Sequence, residues 1–205
     1  MGNHIEEIHR NNIIVYAILQ HATLTGTLDY IARYGLEVMI AVSRFWSQRV
    51  SFSQPKQKYR HPVGVTGPNE YENNVDNNWY TNYSCMRCLK TTLSFLEIIA
   101  RQYPDEYARV RRITNLNYAE ESERWRDIIE RIYLPEDPER GIFIQNDGYM
   151  DKVLQSTDAI PDNERPINQY WSWDRILRSC YIKQSDVLLG LYLLLLQLRH
   201  RNHSP

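Results

Sequence analysis

Between Val65 and Asn82 the chain reads Val-Thr-Gly-Pro-Asn-Glu-Tyr-Glu-Asn-Asn-Val-Asp-Asn-Asn-Trp-Tyr-Thr-Asn, a run with six asparagines, three acids and three aromatic rings. An amide side chain carries both donors and acceptors, so a run of them matches vicinal hydroxyl groups, and flat rings suit the C–H faces of a sugar. The same residues also have a plainer use, because Asn and Asp cap helices and turn chains; for Asn73, Asn74 and Asp76 that is the expected role. Glu70 has the sharpest chemical potential. It lies in a loop bounded by Gly67 and Pro68 and followed by Tyr71, where partial loss of solvent would raise its pKa toward that of a general acid able to protonate a leaving oxygen near neutral pH. A solvated loop glutamate is the ordinary alternative, and spacing does not separate Glu70 from Glu72. For cleavage of a glycosidic bond with inversion, a hydrolase needs a second carboxylate to activate water, whereas phosphate is itself a nucleophile and needs only the acid. No second acid motif stands out in the sequence.

Lys183 and Gln184 form another candidate pair, a cation and an amide that could donate to sugar hydroxyls, although a solvated first helical turn carries the same residue types. Cys85 and Cys88 have C-x-x-C spacing, but they lack a second pair or a histidine at finger spacing and fall on a predicted helix, so no metal is expected. His200 and His203 belong to a polar tail with too few partners for a site. Glycine-rich phosphate loops, Ser-His-Asp order and dinucleotide fingerprints are missing, and no cofactor is expected.

The elements that must position these residues follow from hydrophobic period and breakers. Ile14, Ala17 and Ile18 predict a helix over 11–24 closed by Gly26, and Leu28, Ile31, Ala32, Met39, Ile40 and Phe45 predict a second over 28–50, ended by Pro55. Residues 54–74, with three prolines and two glycines, read as a long loop, and loops of that length inside compact domains are usually functional. Helices are predicted over 75–101, stopped by Pro104, and over 118–133, stopped by Pro135. A long connection over 134–182 holds one short strand at 141–145, and a final buried helix starts near Lys183. Paired helices with long loops at one end describe a toroid of helical hairpins better than an up-and-down bundle.

Composition bounds the partners. A length of 205 residues with 42% hydrophobic content can bury a core, and a net charge of −1 offers no basic excess for nucleic acid or an anionic membrane. The apolar stretch 187–198 is too short to span a bilayer, no targeting segment is recognisable, and three cysteines do not make a secreted disulfide scaffold, so a cytoplasmic protein is expected.

Several ordered motifs carry a family resemblance: Glu7-Ile8-His9-Arg10-Asn11, Tyr34-Gly35-Leu36-Glu37-Val38, Ser43-Arg44-Phe45-Trp46, the Gly64–Asn82 run, Asp147-Gly148-Tyr149 and Ile182-Lys183-Gln184-Ser185-Asp186-Val187. Together they resemble the maltose, kojibiose and trehalose phosphorylases of glycoside hydrolase family sixty-five. The loop wording, with Arg165-Pro166-Ile167-Asn168-Gln169 and Trp171-Ser172-Trp173-Asp174 downstream, resembles the maltose branch most. The resemblance implies an all-α (α/α)6 barrel as catalytic domain. It implies inverting phosphorolysis of an α-glucosidic disaccharide, most simply maltose and phosphate to β-D-glucose 1-phosphate and glucose, with inorganic phosphate as co-substrate. It also matches Glu70 to the general acid, ahead of Glu72, and Lys183 and Gln184 to groups that hold the donor glucosyl unit. Family members are several times longer, and the match fades after Leu193. Residues 1–198 are therefore expected to be a central part of the barrel and 199–205 a polar tail outside the family. The phosphate site is expected beyond Pro205, which would leave the chain inactive or incomplete by itself and prone to self-association through exposed barrel faces. A non-catalytic sugar-binding or helical interaction module, and a hydrolase using water, are the alternative expectations.

Overall fold

A computed structural model describes residues 6–61 and 64–201, with side chains up to Leu193. It is mostly helical, with two short hairpins added, and divides into two compact units. The second unit, His9–Arg60 with Asn82–Tyr133, is built on five helices.

Helix α1, Arg10–Thr25, ends as expected: Gly26 adopts φ 68° and its N–H bonds the Ala22 carbonyl at 3.0 Å. The next helical run contains one π turn, Ile31–Gly35, before α2, Leu36–Arg49. Gly35 lies against α1, where a Cβ would meet Ile18 Cγ2 at 2.8 Å, so only glycine permits this approach of the two helices. Strands β1, Ser51–Ser53, and β2, Lys58–Arg60, form a hairpin that begins just after the predicted helix and returns within the predicted loop. Phe52 stacks edge-on with Tyr59 at 5.1 Å, Arg131 covers both rings, and the Tyr59 hydroxyl donates to Asp127 at 2.6 Å.

Helix α3, Trp79–Gln102, contributes residues 82–102 to this unit and buries Leu89, Leu96 and Ile99. Pro104 does not simply stop it. It occupies the first turn of a further helix, α4, Pro104–Thr114, with Asp105 and Glu106 at its N-terminal end and Arg111 and Arg112 at its C-terminal end, as the helix dipole favours. Asn115 closes α4 in the left-handed conformation, and α5, Tyr118–Arg131, follows, capped by Asn117 and burying Trp125 and Ile128.

The motif Ser43–Trp46 turns out to be scaffold. The Ser43 hydroxyl donates to Thr92 Oγ1 at 2.8 Å, Arg44 grips both Glu121 oxygens at 2.7 and 2.8 Å and the Thr114 carbonyl at 2.8 Å, and Trp46 is fully buried. Such a bidentate guanidinium fixes orientation better than a lysine would. Cys85 and Cys88 are buried on α3; burial pushes the Cys88 thiol up to about 12 and the Cys85 thiol well above its usual range, so both behave as small apolar core residues. Among the described residues no group of three or more His, Cys, Asp or Glu could hold a metal ion.

The first unit comprises Met1–Ile8, His61–Thr81 and Leu134–Pro205. Its expected strand shrinks to β4, Ile142–Phe143, paired antiparallel with β3, Glu136–Asp137; the Phe143 ring meets Trp79 at 5.0 Å. Two short helices, α6, Ile167–Tyr170, and α7, Trp173–Arg178, help form a small core of Ile160, Ile167, Ile176, Cys180 and Tyr181, against which Tyr71 and Trp171 pack. Arg175 lies 3.7 Å from the Trp171 ring centroid and pairs with Glu164 at 2.9 Å.

Helix α8, Asp186–Arg201, starts three residues later than the sequence suggests, and its expected burial is incomplete: Leu188 and Tyr192 are exposed, whereas Gly190 and Leu193 are buried. No helix among the described residues is long and apolar enough to cross a membrane. The predicted tail 199–205 lies, beyond the backbone of residues 199–201, outside the described residues.

Candidate functional site

Glu70, Lys183 and Gln184, the sugar-site candidates read from the sequence, all lie within the first unit. The loop is closed at its base by reciprocal backbone hydrogen bonds of 3.0 Å between Val65 and Val75, with Gly64 and Asn74 both at positive φ. Asn77, at φ 54°, turns the chain into α3, so the helix begins at Trp79 and not near Val75. Asn78 is its cap: Oδ1 accepts from the Thr81 N–H at 2.9 Å, and the Trp79 N–H donates to the Gln145 carbonyl at 2.8 Å. The Asn77 amide is committed to Asp147 at 2.7 Å. Several asparagines of the run therefore build the loop. The expected capping trio is only partly right, since the cap is Asn78.

Asp186 lies at the centre of this arrangement. It is fully buried, its Oδ1 accepts the Asn69 N–H at 2.7 Å and its Oδ2 accepts from Asn78 Nδ2 at 2.7 Å. Burial raises its pKa to about 6, opposed by those two hydrogen bonds and reinforced by the charge of Glu72. A pKa raised on folding means that Asp186 contributes stability fully below its unfolded value near 3.8, and that this contribution is lost as pH climbs through about 6. Gly67 makes the approach possible, because a Cβ there would sit 2.2 Å from Asp186 Oδ2 and 2.5 Å from Asn78 Nδ2. Gly67→Ala is accordingly expected to destabilise the unit by about 1–3 kcal/mol, the usual cost of overpacking, and to lower the melting temperature by several degrees. Thermal unfolding at parental temperature would contradict that close contact.

Glu70 and Lys183 come together at the edge of this lattice. The Lys183 N–H donates to Asn69 Oδ1 at 2.8 Å, and its Nζ reaches Glu70 Oε2 at 2.8 Å. The hydrogen bond that the Lys183 ammonium donates to Glu70, together with the charge of that carboxylate, holds the ammonium above the usual lysine range against an opposing effect of burial. The desolvation expected for Glu70 is not met: its side chain is 52% exposed and that of Lys183 44%, while Tyr71 packs on the small hydrophobic core. Gln184 is exposed beside Lys183 in the chain, in the turn that precedes α8 and not in its first turn.

The competing carboxylate, Glu72, has a different fate. It is buried, accepts from Gln145 Nε2 at 2.5 Å and pairs with Lys152. Glu72, Lys152, Asn146 and Asp147 line a shallow pocket of about 220 Å³ to which Glu70 does not contribute. Sequence reasoning missed Asp186 and Lys152. Asp186 lies inside a recognised motif but reads there as an ordinary helix-starting acid; Lys152 carries no local signal.

Comparison with known proteins shows the family to which the chain belongs. The profile of the glycosyl hydrolase family 65 central catalytic domain matches residues 2–204. The chain is 50% identical over 188 residues to maltose phosphorylase of Bacillus subtilis (strain 168), covering 92% of this chain and 24% of that protein. It is 32% identical over 187 residues to alpha,alpha-trehalose phosphorylase of Thermoanaerobacter brockii, covering 91% and 24%. Among solved structures, "Putative kojibiose phosphorylase from human microbiome" superposes with a TM-score of 0.79 at 27% identity, covering 91% of this chain and 25% of that one. The chain belongs to glycosyl hydrolase family 65, a family of carbohydrate-active enzymes whose members matched here include disaccharide phosphorylases. It spans about a quarter of the length of the curated relatives it matches.

Proposed function

We propose that this chain forms part of the catalytic (α/α)6 barrel of an inverting disaccharide phosphorylase. The reaction is the conversion of maltose and inorganic phosphate to β-D-glucose 1-phosphate and glucose. The observation that carries the reading is the meeting of Glu70 and Lys183, 113 residues apart, at 2.8 Å on a loop braced by buried hydrogen bonds. In this reading Glu70 gives its proton to the glycosidic oxygen as the bond from that oxygen to the anomeric carbon breaks. A phosphate oxygen forms the new bond to that carbon from the opposite face, and Glu70 regains a proton from solvent. Lys183 and Gln184 hold hydroxyls of the donor glucosyl unit. Without sugar, Lys183 holds Glu70 as a paired carboxylate. Substrate hydroxyls that draw the ammonium away would free Glu70 to carry a proton, so binding and acid function are linked through one cation. Glu72, spent on Lys152 and Gln145, is no competitor for this role. The reading requires no cofactor beyond phosphate as co-substrate, and the free, buried cysteines suit a reducing cytoplasm.

The test is to incubate maltose with and without phosphate, using both the 205-residue chain and the chain extended to the length of its relatives. Phosphate-dependent glucose release by the extended protein, with the β anomer of glucose 1-phosphate seen by NMR, is expected. Release without phosphate would show a hydrolase and overturn the proposal. The exposed apolar residues Leu188 and Tyr192 on α8 favour a second reading for the 205-residue chain alone, a sugar-binding or interaction module that self-associates. Calorimetry with maltose and light scattering of the same sample separate these: no heat and a monodisperse monomer would dismiss it.

A further inference from the structure

We propose that Asp186 is a positioning residue that locks the Glu70 loop to the Lys183 segment and thereby sets the separation of those two side chains. The inference rests on the roles given above to Glu70 and Lys183, but the clamp itself is a matter of geometry. Each Asp186 oxygen has its own donor, the Asn69 N–H at 2.7 Å and Asn78 Nδ2 at 2.7 Å. The tie is reciprocal: Asn69 Oδ1 accepts the N–H of Lys183 at 2.8 Å. Residue 69 precedes Glu70 and residue 183 is the cation itself, so the backbone on both sides of the ion pair is fixed by these hydrogen bonds. Glu70 and Lys183 are themselves about half exposed, so burial does not hold them in place, and their separation follows from the segments they stand on. Asn78 anchors the third corner, because its Oδ1 is engaged by Thr81 at the start of α3.

The residue type fits the task. Two donors converge on the position, and only a carboxylate presents an acceptor to each; an amide would turn its NH2 group against one of them. A charge buried this completely is costly unless its hydrogen bonds are made, and burial accordingly pushes Asp186 up to about 6. An apolar residue would fill the space at lower cost if filling it were the whole role.

The experiment uses NMR on the 205-residue chain with Asp186→Asn, and with the exchange pair Asp186→Asn/Asn78→Asp. In the exchange pair residue 186 still accepts the Asn69 N–H and donates to the new carboxylate, whose other oxygen keeps the helix cap. Asp186→Asn is expected to speed hydrogen exchange of the Asn69 and Lys183 amides at least about tenfold. It is also expected to bring the Lys183 ammonium titration down toward the ordinary lysine range, while the amides of Cys88 and Ile99 exchange as in the parent. The exchange pair is expected to restore both readings. Unchanged Asn69 and Lys183 amides in Asp186→Asn overturn the proposal. So does a loss of protection spread evenly over all amides that the exchange pair fails to reverse, because that describes folding stability without positioning. Glu70→Gln in the same titration must lower Lys183 with both amides still protected; if Lys183 does not move, the ion pair is absent and there is no separation for Asp186 to set. Whether Glu70 donates the catalytic proton is read separately, from turnover, and does not alter these signals.

Discussion

Glu70→Gln, made in the chain extended to the length of its relatives, is expected to slow phosphorolysis of maltose by about 100- to 10,000-fold, the usual contribution of a positioned general acid. The KM should change little, because the glutamine amide oxygen can still accept the Lys183 ammonium that Glu70 Oε2 meets at 2.8 Å. The loss should depend on the leaving group. Fluoride departs without protonation, so α-glucosyl fluoride with phosphate should be turned over by the variant at a rate near that of the parent. A uniform loss on both substrates would mean that Glu70 matters for folding or binding and not for proton delivery. Parental turnover of maltose would remove Glu70 from the mechanism altogether.

Lys152→Ala carries the largest expected cost in stability. Glu72 has a side chain only 5% exposed, and its neighbours Gln145 and Asn69 are neutral amides, so removing the ammonium leaves a buried carboxylate without its counter-charge. Breaking such a pair typically costs about 3–5 kcal/mol. For a chain of this size that corresponds to a melting temperature lower by roughly 10 °C. The double variant Glu72→Leu/Lys152→Met should recover most of the loss, since it abolishes the charge instead of stranding it. Circular dichroism melts of the three proteins check this. A single variant as stable as the parent would mean that the pair is solvated.

What could be read from the sequence depended on whether the signal was local. Three-and-four-residue periodicity located α1 and α5 to within about two residues, because the breakers beyond their ends, Gly26 and Pro135, are local features. Pro104 was legible only as a stop, although Pro-Asp-Glu is also a strong first turn; that ambiguity hid α4. The start of α3 slipped by four residues because positive φ at Asn77 is not written in the hydrophobic pattern. Glu70, Lys183 and Gln184 were legible as motifs, and the structure brings the first two together. The solvent exposure of Glu70 was not legible, because the packing of its loop involves distant residues: the neighbouring Tyr71 goes to a core assembled from residues 160–181. Asp186 and Lys152 act across 117 and 80 residues, and no windowed reading reaches that far.

The π turn at Ile31–Gly35 has a consequence for the register of its helix. The Leu36 N–H bonds the Ile31 carbonyl, five residues back, and both side chains are fully buried although five residues of α-helix would point them about 140° apart. The turn thus absorbs one surplus residue, and the helical segments on either side stay in phase as if it were not there. Loss of one exposed residue here, such as Tyr34, would tighten the turn into ordinary α-helix and leave the apolar stripe from Ile31 through Met39 and Trp46 facing the same way. Elsewhere in α2 a single deletion would rotate every following core residue off its face.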